Sequence, residues 1–229
     1  MRAVILQPGY CPWIGYFDQM NRADVFVIYD DIQFDKNGWR KRNRIKTAQG
    51  IQWITVPVLT KGKEFILVKD MLINNDMNWQ DKHLKTIKQN YSRAAYFKDY
   101  VALFEDIYAR DWKYLIDLDM EFINAFNKEL GIGTTIKFAS ELGIRGGKIE
   151  RLINICHLFK ATEFLEGSAG RDYIDDNMFT QAGIKIQYQD YKHPVYRQLY
   201  GAFIPYLSII DLLFNEGKNS LNILSNIPM

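Results

Sequence analysis

The feature that most constrains the fold stands at the start of the chain. Ala3-Val4-Ile5-Leu6 has no polar side-chain atom and runs directly into Gln7-Pro8-Gly9-Tyr10-Cys11-Pro12-Trp13. So short an apolar run reads as a buried strand, and the Pro and Gly after it force a turn that a helix beginning near Pro12 takes up. Ile14, Phe17 and Met20 then recur at helical spacing across residues 13–22, and Asp24-Val25-Phe26-Val27-Ile28-Tyr29 is a second strand. That second run is apolar almost throughout, as expected of a parallel strand covered on both faces. Strand, helix and strand in so short a span make a right-handed βαβ unit, whose ligands sit beyond the strands' carboxyl ends. The first turn of the helix has unpaired backbone N–H groups, so the segment around Gln7 and Gly9 is a candidate anion cradle.

The second strand opens onto the same rim through Asp30-Asp31-Ile32-Gln33. Asp30 and Asp31 are candidate bases, since a carboxylate beside cations stays ionised; the pair reads equally as a strand-end turn. Residues 34–46 follow as a polar segment with six cations and two aromatic residues. A charge run is usually a solvated loop, but one leaving the rim of a sheet puts Arg40, Arg42 and Arg44 where forked donors can clamp a phosphate or carboxylate. Residues 52–58 read as a third strand and residues 66–73 as a fourth extended stretch, with Lys61 and Lys63 between them as further candidate cations or simply a hydrophilic turn.

From Trp79 the period changes to that of helices, across residues 79–89, 97–108 and 114–130, with Gly131 a natural stop. The aromatic stripes there are core packing, and His83 is a surface or helix-packing histidine. A second α/β part follows: a strand at 134–139, a helix at 149–159, a strand at 163–166, a helix at 175–181 and an alternating strand at 184–191. Between the third and fourth of these lies Gly167-Ser168-Ala169-Gly170-Arg171, a second glycine turn with a hydroxyl and a cation at a strand's carboxyl end. Aromatic loops at 193–206 and a short apolar helix at 207–215 complete the chain. The expected fold class is α/β, a Rossmann-like, mainly parallel sheet with helices on both faces, in a single domain spanning 1–229 with residues 76–132 a helical insertion.

Composition excludes several classes. A chain of 229 residues that is 48% hydrophobic with a net charge of +2 has ample core and no global basic surface, so nucleic acid is a poor fit as partner. No run approaches the length needed to span a bilayer, and no signal pattern precedes the first strand. Cys11 and Cys156, far apart, fit neither a disulfide scaffold nor a metal site; no metal is expected, and the cytoplasm is the expected location.

The segments 7–17, 23–30, 32–34, Trp39-Arg40-Lys41-Arg42-Asn43, 53–57 and Glu166-Gly167-Ser168-Ala169-Gly170-Arg171-Asp172-Tyr173 together resemble the WbqC-like family of bacterial surface-polysaccharide gene clusters. That resemblance, over essentially the whole chain, implies an enzyme of O-antigen assembly that transfers glycine or a related acyl group to a sugar. A nucleotide-linked sugar and an acyl donor are the expected partners. Gln7, Gly9, Gln33, Arg40, Arg42, Asn43, Arg44, Gly167, Ser168 and Arg171 form the candidate substrate- and phosphate-binding set, with Asp30, Asp31 and Tyr10 the candidate catalytic residues. The order of strand, Pro-Gly turn, helix and strand is also similar, more distantly, to the nucleotidylyltransferases that carry a His-x-Gly-His turn, pantothenate synthetase among them. Gln7 and Tyr10 stand where those enzymes have histidines and bring no imidazolium charge, so phosphoryl chemistry would rest on Arg and Lys. This second likeness implies an alternative, an adenylate-forming amide ligase with ATP as cofactor; a non-catalytic binding protein is the third. A cysteine nucleophile at Cys11, near a helix N-terminus, weighs less than small buried packing.

Overall fold

A computed structural model describes residues 1–62 and 64–225. Five strands form one parallel sheet: β1 (Arg2–Leu6), β2 (Val25–Ile28), β5 (Thr135–Phe138), β6 (Glu163–Gly167) and β7 (Lys185–Gln189), in the spatial order β5-β2-β1-β6-β7. Between β2 and β5 the chain leaves the sheet to make an antiparallel hairpin, β3 (Arg42–Thr47) with β4 (Gly50–Thr55). Three helices come next: α2 (Trp79–Tyr91), α3 (Phe97–Tyr108) and α4 (Leu115–Leu130).

The strands alternate between two cores, which is why helices cover both faces. Ala3, Ile5, Val25, Val27 and Phe164 face α5 (Lys148–Leu158) and α6 (Asp176–Gln181), where Phe164 stacks on Phe179 at 5.1 Å. Val4, Phe26, Ile28 and Leu165 face α1 (Ile14–Arg22), the helices α2–α4 and α7 (Ile209–Glu216). That second core is dominated by rings: Phe17, Phe104, Phe122, Phe126 and Phe214 are all fully buried. Each such ring contributes about 2–3 kcal/mol of transfer free energy, and edge-to-face pairs add to it. α8 (Ser220–Leu224) packs back on α1.

Two sequence expectations are corrected. The basic segment is not simply a loop: from Arg42 it is strand β3, with Asn43 and Ile45 buried while Arg42 and Arg44 take the other face. Residues 66–73 are not a regular strand. They make isolated bridges, Gln33 to Leu67 and Val58 to Ile73, around a 3₁₀ turn at Val68–Asp70.

The long connection from β7 to α7 is pinned by buried polar contacts. Asp211 accepts from Tyr91 Oη and Tyr196 Oη at 2.9 Å each, and burial pushes its carboxyl up to about 6. Buried Lys46 reaches from β3 to Ala202 O at 2.6 Å and Gln198 Oε1 at 3.0 Å. These contacts hold residues 198–206 against the hairpin. Among the described residues no helix is long and apolar enough to cross a membrane.

Candidate functional site

The chain leaves β1 toward β2 on one side and later returns to place β6 on the other side of β1. This reversal of strand order is the switch point at which open parallel sheets leave a crevice at their carboxyl ends. A cavity of about 650 Å³ lies there, lined by Leu6 and Gly9 after β1, Gly167 to Ala169 after β6, and Gln189 and Tyr191 at the end of β7. Trp39, Arg40, Asn43 and Arg44 close it from the hairpin side, Trp13, Tyr16 and Gln19 from α1, and Tyr206 from the last loop.

The turn that carries the first wall is held by its backbone. Cys11 has a positive φ of 43°, uncommon outside glycine, and its carbonyl accepts from Asn43 Nδ2 at 2.8 Å and Ser208 Oγ at 2.7 Å. Tyr10 N donates to Arg40 O at 2.9 Å, locking the basic segment against the turn. A Cβ on Gly9 would meet nothing closer than 4.0 Å, so packing alone does not demand glycine there. Gly15 is different: a Cβ would come within 2.2–2.5 Å of the Trp13 ring, which lies over the start of α1. Trp13 in turn meets Tyr191 edge-on at 5.4 Å and Tyr206 at 5.6 Å, forming an aromatic wall.

Arg40 is the centre of the site's electrostatics. Its one side-chain hydrogen bond among the described residues is from Nη1 to Gln7 O at 3.3 Å, and no carboxylate among them lies within ion-pairing distance. Burial lowers its pKa, opposed by the more distant Tyr16, Asp119, Asp35 and Glu166. A desolvated guanidinium with no anion of its own leaves most of its five donors for a ligand. Arg44 is partly committed: Nη2 donates to Tyr206 O at 2.8 Å and its guanidinium lies 4.9 Å from the Trp39 ring. Asn43 is a positioning residue, donating to Cys11 O and accepting from Arg44 N.

Several residues named from the sequence are placed elsewhere. Asp30 accepts from Ser140 N at 2.9 Å and Ser140 Oγ at 2.6 Å, and Asp31 pairs with Arg151 at 2.5 Å; neither lines the cavity. Arg171 makes a two-pronged pair with Asp190 at 2.9 and 3.0 Å and lies over Tyr188, while Arg42 lies over Trp53 and bonds Asn37 O. Gln33 is exposed beside Leu67. Tyr10 contributes to the cavity wall, but its hydroxyl is turned into the helical core, bonding His83 Nδ1 at 2.9 Å and Tyr108 Oη. The cavity thus gathers Gly9, Arg40, Asn43, Arg44, Gly167 and Ser168, with the Gln7 carbonyl beside it on Arg40. Lys63 lies outside the described residues. Cys11 is fully buried, and burial together with Asp119 pushes its thiol pKa well up, opposite to what a nucleophile needs.

The sequence reading passed over Glu166. It ends β6 just before the glycine loop, is only 6% exposed, and accepts from Gly167 N at 2.9 Å, so that amide is not free for a ligand. Burial pushes its carboxyl up to about 7, against the lowering effect of Gly167 N–H, the Tyr173 hydroxyl and Arg40. The second glycine of the loop is explained by the same side chain: a Cβ on Gly170 would fall 2.3 Å from Glu166 Cγ. Glu166 does not itself line the cavity, but the next residue, Gly167, does, and a buried carboxyl pushed up to about 7 beside that lining is suited to proton transfer.

The family model described as the WbqC-like protein family matches residues 7–223 of the chain. The chain is also 39% identical over 221 residues to "Uncharacterized protein Rv1507c" of Mycobacterium tuberculosis, covering 96% of this chain and 95% of that one. No solved structure matches.

Proposed function

The chain belongs to the WbqC-like protein family, and from that premise we propose that it binds a nucleotide-linked amino sugar in the switch-point cavity and transfers an acyl or aminoacyl group to it during surface-polysaccharide assembly. The observation that carries the reading is Arg40, a partly buried guanidinium without a carboxylate in ion-pairing distance, facing a cavity lined mostly by aromatic rings and neutral groups, with Asp35 the one carboxylate in its lining. Arg40 takes the phosphate, with Arg44 at the mouth, and the rings of Trp13, Trp39, Tyr191 and Tyr206 offer flat apolar faces for sugar or base. The volume suits a sugar with part of its diphosphate.

In this reading the sugar amine attacks the carbonyl carbon of an activated acyl donor, a thioester or aminoacyl ester. The new C–N bond forms as the bond to sulfur or oxygen breaks. Glu166 accepts the amine proton and returns it to the leaving group, its carboxyl near 7 serving in both directions. The adenylate-forming alternative, with ATP, draws less support, because Tyr10 Oη is occupied by His83 and Tyr108. The same observation favours a second reading, a sugar-nucleotide binding protein without transfer.

The test is a mass-shift assay of UDP- and dTDP-amino sugars with acyl-thioester and aminoacyl donors. A product heavier by one acyl group, lost in Glu166→Gln, is the expected result. Unchanged mass across the panel, with binding retained, moves the assignment to the binding protein.

A further inference from the structure

Tyr16 and Gln19, on one face of α1, both line the cavity, and each carries a buried polar atom, Oη and Oε1, with no hydrogen-bond partner among the described residues. Tyr16 is 4% exposed and Gln19 also 4%. They are three residues apart, so the helical repeat stacks them on the same side.

The orientation of the Gln19 amide follows from its neighbours. Gln189 Nε2 lies 2.6 Å from Asp18 Oδ2 and 2.9 Å from Gly15 O, and Asp18 is paired with Arg22 at 3.3 Å. A carbonyl and a paired carboxylate only accept, so the Gln189 amide has its nitrogen there; the flipped form would set oxygen against two acceptors. Its oxygen then faces Gln19, which must donate through Nε2, at 2.7 Å. Gln19 is left with Oε1 as the end not committed to this relay. A buried acceptor kept unpaired weakens a fold unless something in the site donates to it.

We propose that Gln19 Oε1, oriented by Asp18 through Gln189 and joined by Tyr16 Oη, is the specificity determinant of the cavity: it reads a hydroxyl or amino donor on the sugar. This deepens the reading above and rests on it. Arg40 holds the anionic end and Gln19 the donor end, so the ligand class is an anionic sugar carrying an N–H or O–H at the inserted edge. A carboxylate at that edge is disfavoured, since it would meet an acceptor.

The test is a cycle of ligand and residue deletions by calorimetry with purified full-length chain, using inorganic phosphate, glucose 1-phosphate, its 2-, 3-, 4- and 6-deoxy forms, and glucosamine 1-phosphate. The wild type should lose about tenfold or more in affinity for one deoxy form, and that penalty should vanish in Gln19→Met while phosphate affinity stays the same. Tyr16→Phe, nearly isosteric, should shrink the same penalty and guards against misfolding of Gln19→Met. Glucosamine 1-phosphate exceeding glucose 1-phosphate assigns the donor as an amine, and the reverse order as a hydroxyl; both support the proposal. Equal affinity for every deoxy form, or a penalty that survives both variants, overturns the Gln19 assignment and leaves the anion site standing. Absence of phosphate and sugar-phosphate binding to the wild type overturns the anion site and this assignment with it.

Discussion

Replacing Glu166 by Gln should raise stability at alkaline pH while removing activity. Glu166 ionises near 7 in the folded protein against an ordinary value of 4.5, with burial the main cause. Below pH 4.5 the carboxyl is protonated in both states and its contribution to stability is fully present. As pH rises from there, the unfolded chain ionises first and stability falls, until the folded group ionises too near pH 7. At about 1.4 kcal/mol per tenfold change in acidity, the wild type loses about 3 kcal/mol across that window. Glutamine keeps the acceptor for Gly167 N and does not ionise. Denaturant unfolding of both proteins from pH 4.5 to 8 is the assay, with the difference between them isolating Glu166 from Asp211, which titrates lower, near 6. The two should be nearly equal at pH 4.5, with the variant ahead by up to about 3 kcal/mol at pH 8. Parallel profiles would refute the burial argument.

Other substitutions separate scaffold from site. Asp30→Ala removes both acceptors of Ser140 and should cost about 2–3 kcal/mol in unfolding free energy, while phosphate affinity, read by calorimetry, stays the same. Tyr10→Phe leaves His83 Nδ1 without its hydroxyl partner and should lower stability by about 1–3 kcal/mol, again without weakening anion binding. Gly15→Ala forces the Trp13 ring off its seat; a loss of about 1–3 kcal/mol is expected in thermal unfolding, together with weaker sugar-phosphate binding. Iodoacetamide should leave the native protein unalkylated at Cys11, as intact mass would show.

The parallel sheet was legible because strands buried on both faces read as unbroken apolar runs, as in Val25–Ile28, and the helices α2–α4 because their aromatic stripes repeat at helical spacing. Of the hairpin, the strand expected at residues 52–58 is found as β4, but β3 was not legible. In β3 the buried positions include Asn43, and the other face holds Arg42 and Arg44, so charge hid the period of two. The cavity was legible as a place, at the ends of β1 and β6, and Arg40 lines it; the partners that engage other candidate residues lie farther along the chain. Asp30 is saturated by Ser140, 110 residues on, and Arg171 by Asp190, 19 residues on. Gln19 carried a signal that periodicity alone overlooks. Every residue from Ile14 to Met20 is buried, so Asp18 and Gln19 are polar groups in a stretch of helix with no solvent face, where each needs a partner from the protein or a ligand.

The central claim is that Arg40 at the switch point is an anion site and not a structural cation. Titration of inorganic pyrophosphate into the wild type and Arg40→Met, with unfolding followed in parallel, tests it most directly. Saturable binding to the wild type should weaken by about 10- to 150-fold in the variant, the loss of charge-assisted hydrogen bonds worth about 1.5–3 kcal/mol. Stability should change by no more than about 1 kcal/mol, since the Arg40 side chain makes one hydrogen bond, to Gln7 O, and no ion pair among the described residues. Equal pyrophosphate affinity in the two proteins, with Arg40→Met strongly destabilised, would contradict the account.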